Sequence, residues 1–143
     1  MKFVVGSDHA GFSLKEELVG VLREWGHEVA DLGPADATSV DYPDYAHRVA
    51  DAIGHGDGDR GLLVCGTGIG MAMAANRHVG IRAASCEDTY AATMTRSHND
   101  ANVLCLGARI VGSGLARSIL KAFVETPFEG GRHAGRVRKI ERE

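Results

Sequence analysis

A chain of 143 residues with 44% hydrophobic and 24% charged residues has the make-up of one soluble globular domain, long enough to bury about two-thirds of its unfolded surface. A formal net charge of −3 gives no overall attraction for nucleic acid, and no apolar run approaches the roughly 20 residues that span a bilayer. The N-terminus reaches Asp8 too early for a secretory signal, and Cys65, Cys86 and Cys105 show neither close pairing nor metal-ligand spacing, so they read as reduced thiols of a cytoplasmic protein.

Short apolar runs alternate with helical patterns along the chain. Phe3-Val4-Val5 is a first strand. Ser13-Leu14-Lys15-Glu16 has the form of a capping box, and Leu14, Leu18, Val21, Leu22 and Trp25 make one helical face that Gly26 can close. A strand from Glu28 to Leu32 leads into a loop, Gly33 to Tyr45, holding two of the three prolines. A helix through Ala46, Val49, Ala50 and Ile53 stops near Gly54. Further strands are expected at Leu62–Cys65, Ile81–Ser85 and Val103–Leu106, with helices near 69–77, 87–97 and 113–124. The tail from Gly130 to Lys139 is a locally basic helix candidate, and no repeat, low-complexity tract or linker divides residues 1–143.

Five strands separated by helices predict a doubly wound parallel sheet with helices on both faces. Ligands of such sheets lie beyond the carboxyl ends of the strands. Ser7-Asp8-His9-Ala10-Gly11 follows the first strand, Cys65 and its glycines the third, and Gly107-Ala108-Arg109 the fifth. Ser97-His98-Asn99-Asp100 ends the helix after the fourth, and these polar groups are expected to gather where a ligand sits.

Val64-Cys65-Gly66-Thr67-Gly68-Ile69-Gly70 is the most informative run. Glycines at alternate positions let backbone N–H groups approach an anion, a following helix start adds positive partial charge, and a cysteine there can become a thiolate nucleophile or base. Competing readings exist for each feature. The loop could be a dinucleotide fingerprint, with Glu87 about 20 residues on, but its spacing is G-x-G-x-G and it follows the third strand. It could also be a plain tight turn, and Cys65 an inert buried thiol. His98 could cap a helix, Asp8-His9 could form a turn, and Tyr42-Pro43-Asp44-Tyr45 could be a rigid loop. Arg132 and Arg136 share a helical face, either as solvated charge or as a forked phosphate clamp around His133. Seven histidines show no paired ligand spacing, so no metal is expected.

Six segments occur here in an order that resembles one family: Gly6-Ser7-Asp8-His9-Ala10-Gly11-Phe12, Asp41-Tyr42-Pro43, Cys65-Gly66-Thr67-Gly68-Ile69-Gly70, Gly80-Ile81-Arg82-Ala83, Ser97-His98-Asn99-Asp100-Ala101-Asn102 and Gly130-Gly131-Arg132-His133. Nearly end to end, the chain resembles the ribose-5-phosphate isomerase B family of sugar-phosphate isomerases, which includes the galactose-6-phosphate isomerase subunits. The resemblance implies a Rossmann-like three-layer αβα sandwich with a five-stranded parallel sheet and a C-terminal helical tail. It implies no metal or organic cofactor, and a homodimer with shared active sites, often paired into a tetramer. The family divides by its base, and this chain falls in the branch with cysteine at position 65; the other branch has glutamate where Met71 stands.

The implied reaction is aldose–ketose isomerisation of ribose 5-phosphate and ribulose 5-phosphate through a cis-enediolate, a step of the pentose phosphate pathway. By resemblance, Cys65 moves the proton between C2 and C1, Thr67 relays protons between the sugar oxygens, and His98 with Asp8 opens the furanose ring. The amides of Gly66, Gly68, Ile69 and Gly70, with Asn99, hold the enediolate, and Tyr42 lines the pocket. His9, Arg132, Arg136 and Arg109 grip the phosphate, some of them from the neighbouring subunit. Allose 6-phosphate or galactose 6-phosphate is an alternative substrate, and a non-catalytic phosphosugar sensor an alternative of another class. The galactose-6-phosphate enzymes divide their catalytic residues between unlike subunits, whereas this one chain carries them all.

Overall fold

Among residues 1–142, which the computed structural model describes, five strands and six helices alternate. They are β1 (Lys2–Ser7), α1 (Phe12–Glu24), β2 (Glu28–Asp31), α2 (Tyr42–Gly54), β3 (Arg60–Cys65), α3 (Ile69–Ala75), β4 (Ala83–Ser85), α4 (Thr89–Ser97), β5 (Val103–Gly107), α5 (Ser113–Glu125) and α6 (Arg132–Arg138). All strand pairs are parallel and the sheet order is β2-β1-β3-β5-β4. The expected three-layer α/β architecture is what forms.

Side-chain alternation along the strands divides the core into two layers. Phe3, Val5, Leu62, Val64, Leu104 and Leu106 pack with Leu18 and Leu22 of α1, Ala92 of α4 and Ile119 and Phe123 of α5. Val4, Leu63, Cys65, Val103 and Cys105 pack on the other face, with Val49 of α2 and Met71 of α3. Covered on both sides, β5 is buried at every residue, which is why Val-Leu-Cys-Leu-Gly lacks a polar alternation. Each such fully buried Leu, Val or Phe side chain stabilises the fold by about 1.5–3 kcal/mol relative to exposure.

Several local expectations are corrected. No capping box forms at Ser13: α1 begins at Phe12, and both Ser13 and Glu16 lie inside the helix. Its N-cap is Gly11, where a Cβ would collide with the Val64 carbonyl, and the Gly11 N–H donates to Asp8 Oδ1 at 3.0 Å. The helix α2 starts at Tyr42, inside the expected loop, because Pro43 falls in its first turn, where a missing N–H costs nothing. The strand β4 is confined to Ala83–Ser85, and α4 starts at Thr89, where Asp88 Oδ1 accepts the Ala91 N–H at 2.7 Å.

The largest correction concerns Ser97-His98-Asn99-Asp100. Because α4 runs back along the sheet, its end lies at the amino edge of the strands, not at the carboxyl edge. The next residue pair seals this: Asn102 carbonyl accepts the Gly61 N–H at 2.8 Å, beside the Gly61–Val103 register pair. Cys65 pairs with Gly107 four residues further along, roughly 13 Å away at strand rise. The C-terminal segment docks at the same amino edge, through Glu129 N–H to the Ser97 carbonyl at 3.0 Å and Gly80 N–H to Glu141 Oε1 at 2.8 Å.

Candidate active site

The chain leaves β1 toward β2 on one side and returns to β3 on the other, so the β1/β3 crevice is the switch point of the sheet. Asp8 and Cys65 emerge there from adjacent strand ends, tied by the Asp8 N–H to the Val64 carbonyl at 3.2 Å. With Tyr42, Gly66, Thr67, Ile69, Gly70 and Met73 they line an open cleft of about 360 Å³.

The cysteine turn is built by its glycines. Gly68 adopts φ +80°, a conformation side chains avoid, and its N–H donates to Cys65 Sγ at 3.1 Å. Gly107 brings β5 so close that a Cβ there would stand 2.7 Å from the Thr67 backbone. The Ala108 N–H then donates to the Cys65 carbonyl at 2.8 Å and that of Arg109 to the Gly66 carbonyl at 3.0 Å. The Arg109 guanidinium lies along Gly66. Thr67 is exposed and its Oγ1 accepts the Ile69 N–H at 3.3 Å. Gly70 follows in the first turn of α3, where N–H groups have no intrahelical acceptor. The arrangement therefore sets a thiol, a carboxylate and backbone donors around one small cleft, as carbon-acid proton transfer requires.

His9 stands on the same edge outside the lining of the cleft. Its Nδ1 accepts the Val40 N–H at 3.2 Å, which leaves Nε2 as the nitrogen that can donate to an anion. The other two thiols are unsuited to this chemistry. Burial and Asp88 push Cys86 up to about 11, and complete burial, with Cys65 and Cys86 nearby, pushes Cys105 well above its ordinary value. Met71 is fully buried in the apolar layer.

The remaining site candidates form a second cluster at the amino edge. His98 follows α4, and its ring stacks on that of His133, with centroids 4.2 Å apart and planes 10° apart. Glu129 Oε2 lies 3.4 Å from His133 Nε2 and 4.0 Å from His98 Nε2. Burial, His98 and Arg132 lower the pKa of His133. Asn99, Arg132 and Arg136 are exposed beside this group. None of these residues lines the Cys65 cleft of its own chain. Sequence spacing missed Glu129, whose contact with His98 is tertiary, and it missed His47 Nδ1 against His78 Nε2 at 2.7 Å, with Asp51 3.2 Å from the other nitrogen of His78. That second histidine pair links α2 to the end of α3.

Residues 3–140 match the family model described as Ribose/Galactose Isomerase. The chain belongs to that family. Both clusters, from Asp8 to Arg136, lie within the matched span. Ribose-5-phosphate isomerase B of Escherichia coli is 48% identical over 139 residues, covering 97% of this chain and 93% of that one. D-erythrulose-4-phosphate isomerase of Pectobacterium atrosepticum is 43% identical over 142 residues, covering 98% of this chain and 93% of its own. The solved ribose-5-phosphate isomerase B of Clostridium thermocellum shares 51% identity and superimposes with a TM-score of 0.97, covering 98% of this chain and 95% of that one. As a member of the ribose/galactose isomerases the chain is an enzyme of the aldose–ketose isomerase class. No helix among the described residues is long and apolar enough to cross a membrane.

Proposed function

We propose that this isomerase interconverts D-ribose 5-phosphate and D-ribulose 5-phosphate through a cis-enediolate, in the pentose phosphate pathway of the cytoplasm. The observation that carries the reading is the Cys65 thiol, held by the Gly68 N–H and facing Asp8 across the switch-point cleft. Cys65 removes the C2 proton and returns it to C1. The electron pair passes into the enediolate, whose oxygens are held by the Gly66 and Gly70 amides and the Asn99 side chain, joined by the Gly68 and Ile69 amides as these leave Cys65 Sγ and Thr67 Oγ1. A placed base contributes about 10²–10⁴-fold, and one donor to the oxyanion about 10²–10³-fold.

Ring opening precedes this. Asp8 accepts the proton of the anomeric hydroxyl as the bond from C1 to the ring oxygen breaks, and His98 protonates the departing oxygen. Thr67 relays protons between O1 and O2, Tyr42 walls the pocket, and His9, Arg109, Arg132 and Arg136 hold the phosphate. His98, Asn99, Arg132 and Arg136 stand at the sheet edge opposite Cys65, so one chain has only half of this machinery at its cleft. The active form is therefore a homodimer in which the amino-edge cluster of one copy closes the Cys65 cleft of the other; pairing of dimers into a tetramer is compatible with it.

A four-carbon substrate is the second reading, because the erythrulose-phosphate enzyme shares 43% identity, close to the 48% shared with the ribose enzyme. A metal-free assay with ribose 5-phosphate, allose 6-phosphate, galactose 6-phosphate and erythrulose 4-phosphate decides. Ribose 5-phosphate is expected to give the highest kcat/KM; a higher value for any of the others would move the assignment to that sugar. In the same assay Cys65→Ala is expected to lose at least about 10²-fold in kcat while still binding sugar phosphate by calorimetry. Retention of activity within about tenfold of the unaltered enzyme would remove Cys65 as the base.

A further inference from the structure

We infer that Glu129 is a positioning residue for ring opening: its carboxylate, braced by the buried His133, fixes the imidazole of His98 for proton delivery. The inference rests on the ring-opening role proposed for His98 and adds the device that aims it.

The His98 ring stacks on His133, and Glu129 Oε2 lies 4.0 Å from its Nε2. The stack sets the plane of the ring, and the carboxylate, on the Nε2 side, sets its rotation within that plane. Glu129 is itself held from two sides, by its N–H on the Ser97 carbonyl at 3.0 Å and by its side chain on His133 at 3.4 Å. Gly130 and Gly131, at φ +66° and +55°, fold the chain back so that residues 129 and 133 meet the same ring. Two consecutive residues in that region are costly for any side chain, so the turn is built for this return.

The cluster suits a proton better than a metal ion. Ring-nitrogen lone pairs lie in the ring planes, and planes 10° apart direct them side by side instead of to one point. Arg132 and Arg136 add positive charge next to the group and further disfavour a cation. Burial, His98 and the two arginines lower the pKa of His133, and of the two stacked rings His98 is the more open, its side chain 39% exposed against 7%. His98 is thus the ring that can reach the sugar's ring oxygen, and Glu129 is the side chain that holds its orientation.

Glu129→Gln keeps the volume and removes the charge. In the full-length enzyme its kcat on ribose 5-phosphate should fall about tenfold or more with KM changed less than about twofold, by analogy with other groups that orient a reacting residue. In a His98→Ala background the same substitution should have no further effect, since a residue acting through His98 has nothing left to act on. Glu129→Asp, which restores the charge, should recover part of the lost kcat. Full activity of Glu129→Gln alongside an impaired His98→Ala overturns the inference and leaves the His98 role intact. So does a raised KM at constant kcat, which would assign Glu129 to the phosphate-holding arginines, or a loss that multiplies with that of His98→Ala. An unimpaired His98→Ala would instead overturn the ring-opening role itself, and the inference with it.

Discussion

A side chain at position 70 would meet the Tyr42 ring: a Cβ there would stand 2.7 Å from two of its carbons. Gly70 is thus the reason Tyr42 can close one wall of the cleft. Tyr42 is 42% exposed, so its ring can swing outward where a backbone neighbour could not. An alanine inside a helix also gains up to about 1 kcal/mol over glycine. Gly70→Ala should therefore leave the thermal midpoint within about 3 °C of the unaltered protein and lower kcat/KM by about 10–100-fold, because a displaced wall misplaces the sugar. Unfolding scans and steady-state kinetics together check this; a large loss of stability with normal kinetics would contradict it. At this scale the cysteine loop was legible in the sequence, since alternate glycines after a strand have few uses. The demand on Gly11 was not. It comes from the Val64 carbonyl of another strand, and a capping-box pattern two residues on pointed elsewhere.

Among the elements, α1 shows where periodicity reads the fold and where it stops. Leu14, Leu18, Val21 and Leu22 mark its buried face, but Lys15 is also 0% exposed. Its ammonium donates to both Asp31 oxygens at 2.9 Å and to the Pro34 carbonyl at 2.9 Å, pinning α1 to the end of β2 and the loop beyond. A lysine beside a helix's apolar stripe reads as a solvated position, because the partner that permits its burial is supplied by another element. Removing Asp31 leaves the buried ammonium only the Pro34 carbonyl and the half-exposed Glu16 carboxylate at 3.3 Å, so Asp31→Ala should destabilise by about 2–3 kcal/mol in urea titrations. Lys15→Met combined with Asp31→Ala should cost much less, because no buried charge remains. Equal losses for the two would show that packing, and not the ion pair, holds α1 there. The same limit explains α2: two prolines and Gly33 mark the span 33–45 as loop, yet Pro43 sits where a helix tolerates it.

For the whole molecule, the class of sheet was legible from alternating elements, but the edge at which each site residue lies was misjudged for one segment. Direction was the neglected constraint. A helix between parallel strands must run back, so residues at its end lie at the amino edge, and His98 and Asn99 belong there by topology alone. That placement separates Cys65 from His98 within one chain, and it makes subunit complementation the sharpest test of the shared site. Co-expression of a Cys65→Ala chain with a His98→Ala chain should yield homodimers of each, inactive or nearly so, and a mixed dimer. One of the two clefts of the mixed dimer combines intact Cys65 with intact His98, and the other contains both alanines. Random pairing puts half of the molecules in mixed dimers with half of their sites intact, so about a quarter of the unaltered activity should return. Purification through two different tags should raise this toward about one half. If the mixed dimer is as inactive as its parents, Cys65 and His98 serve the same cleft from the same chain, and the chain must then rearrange far from the geometry seen here. Restored activity would tie the position of every amino-edge residue, Glu129 included, to the cleft of the opposite copy.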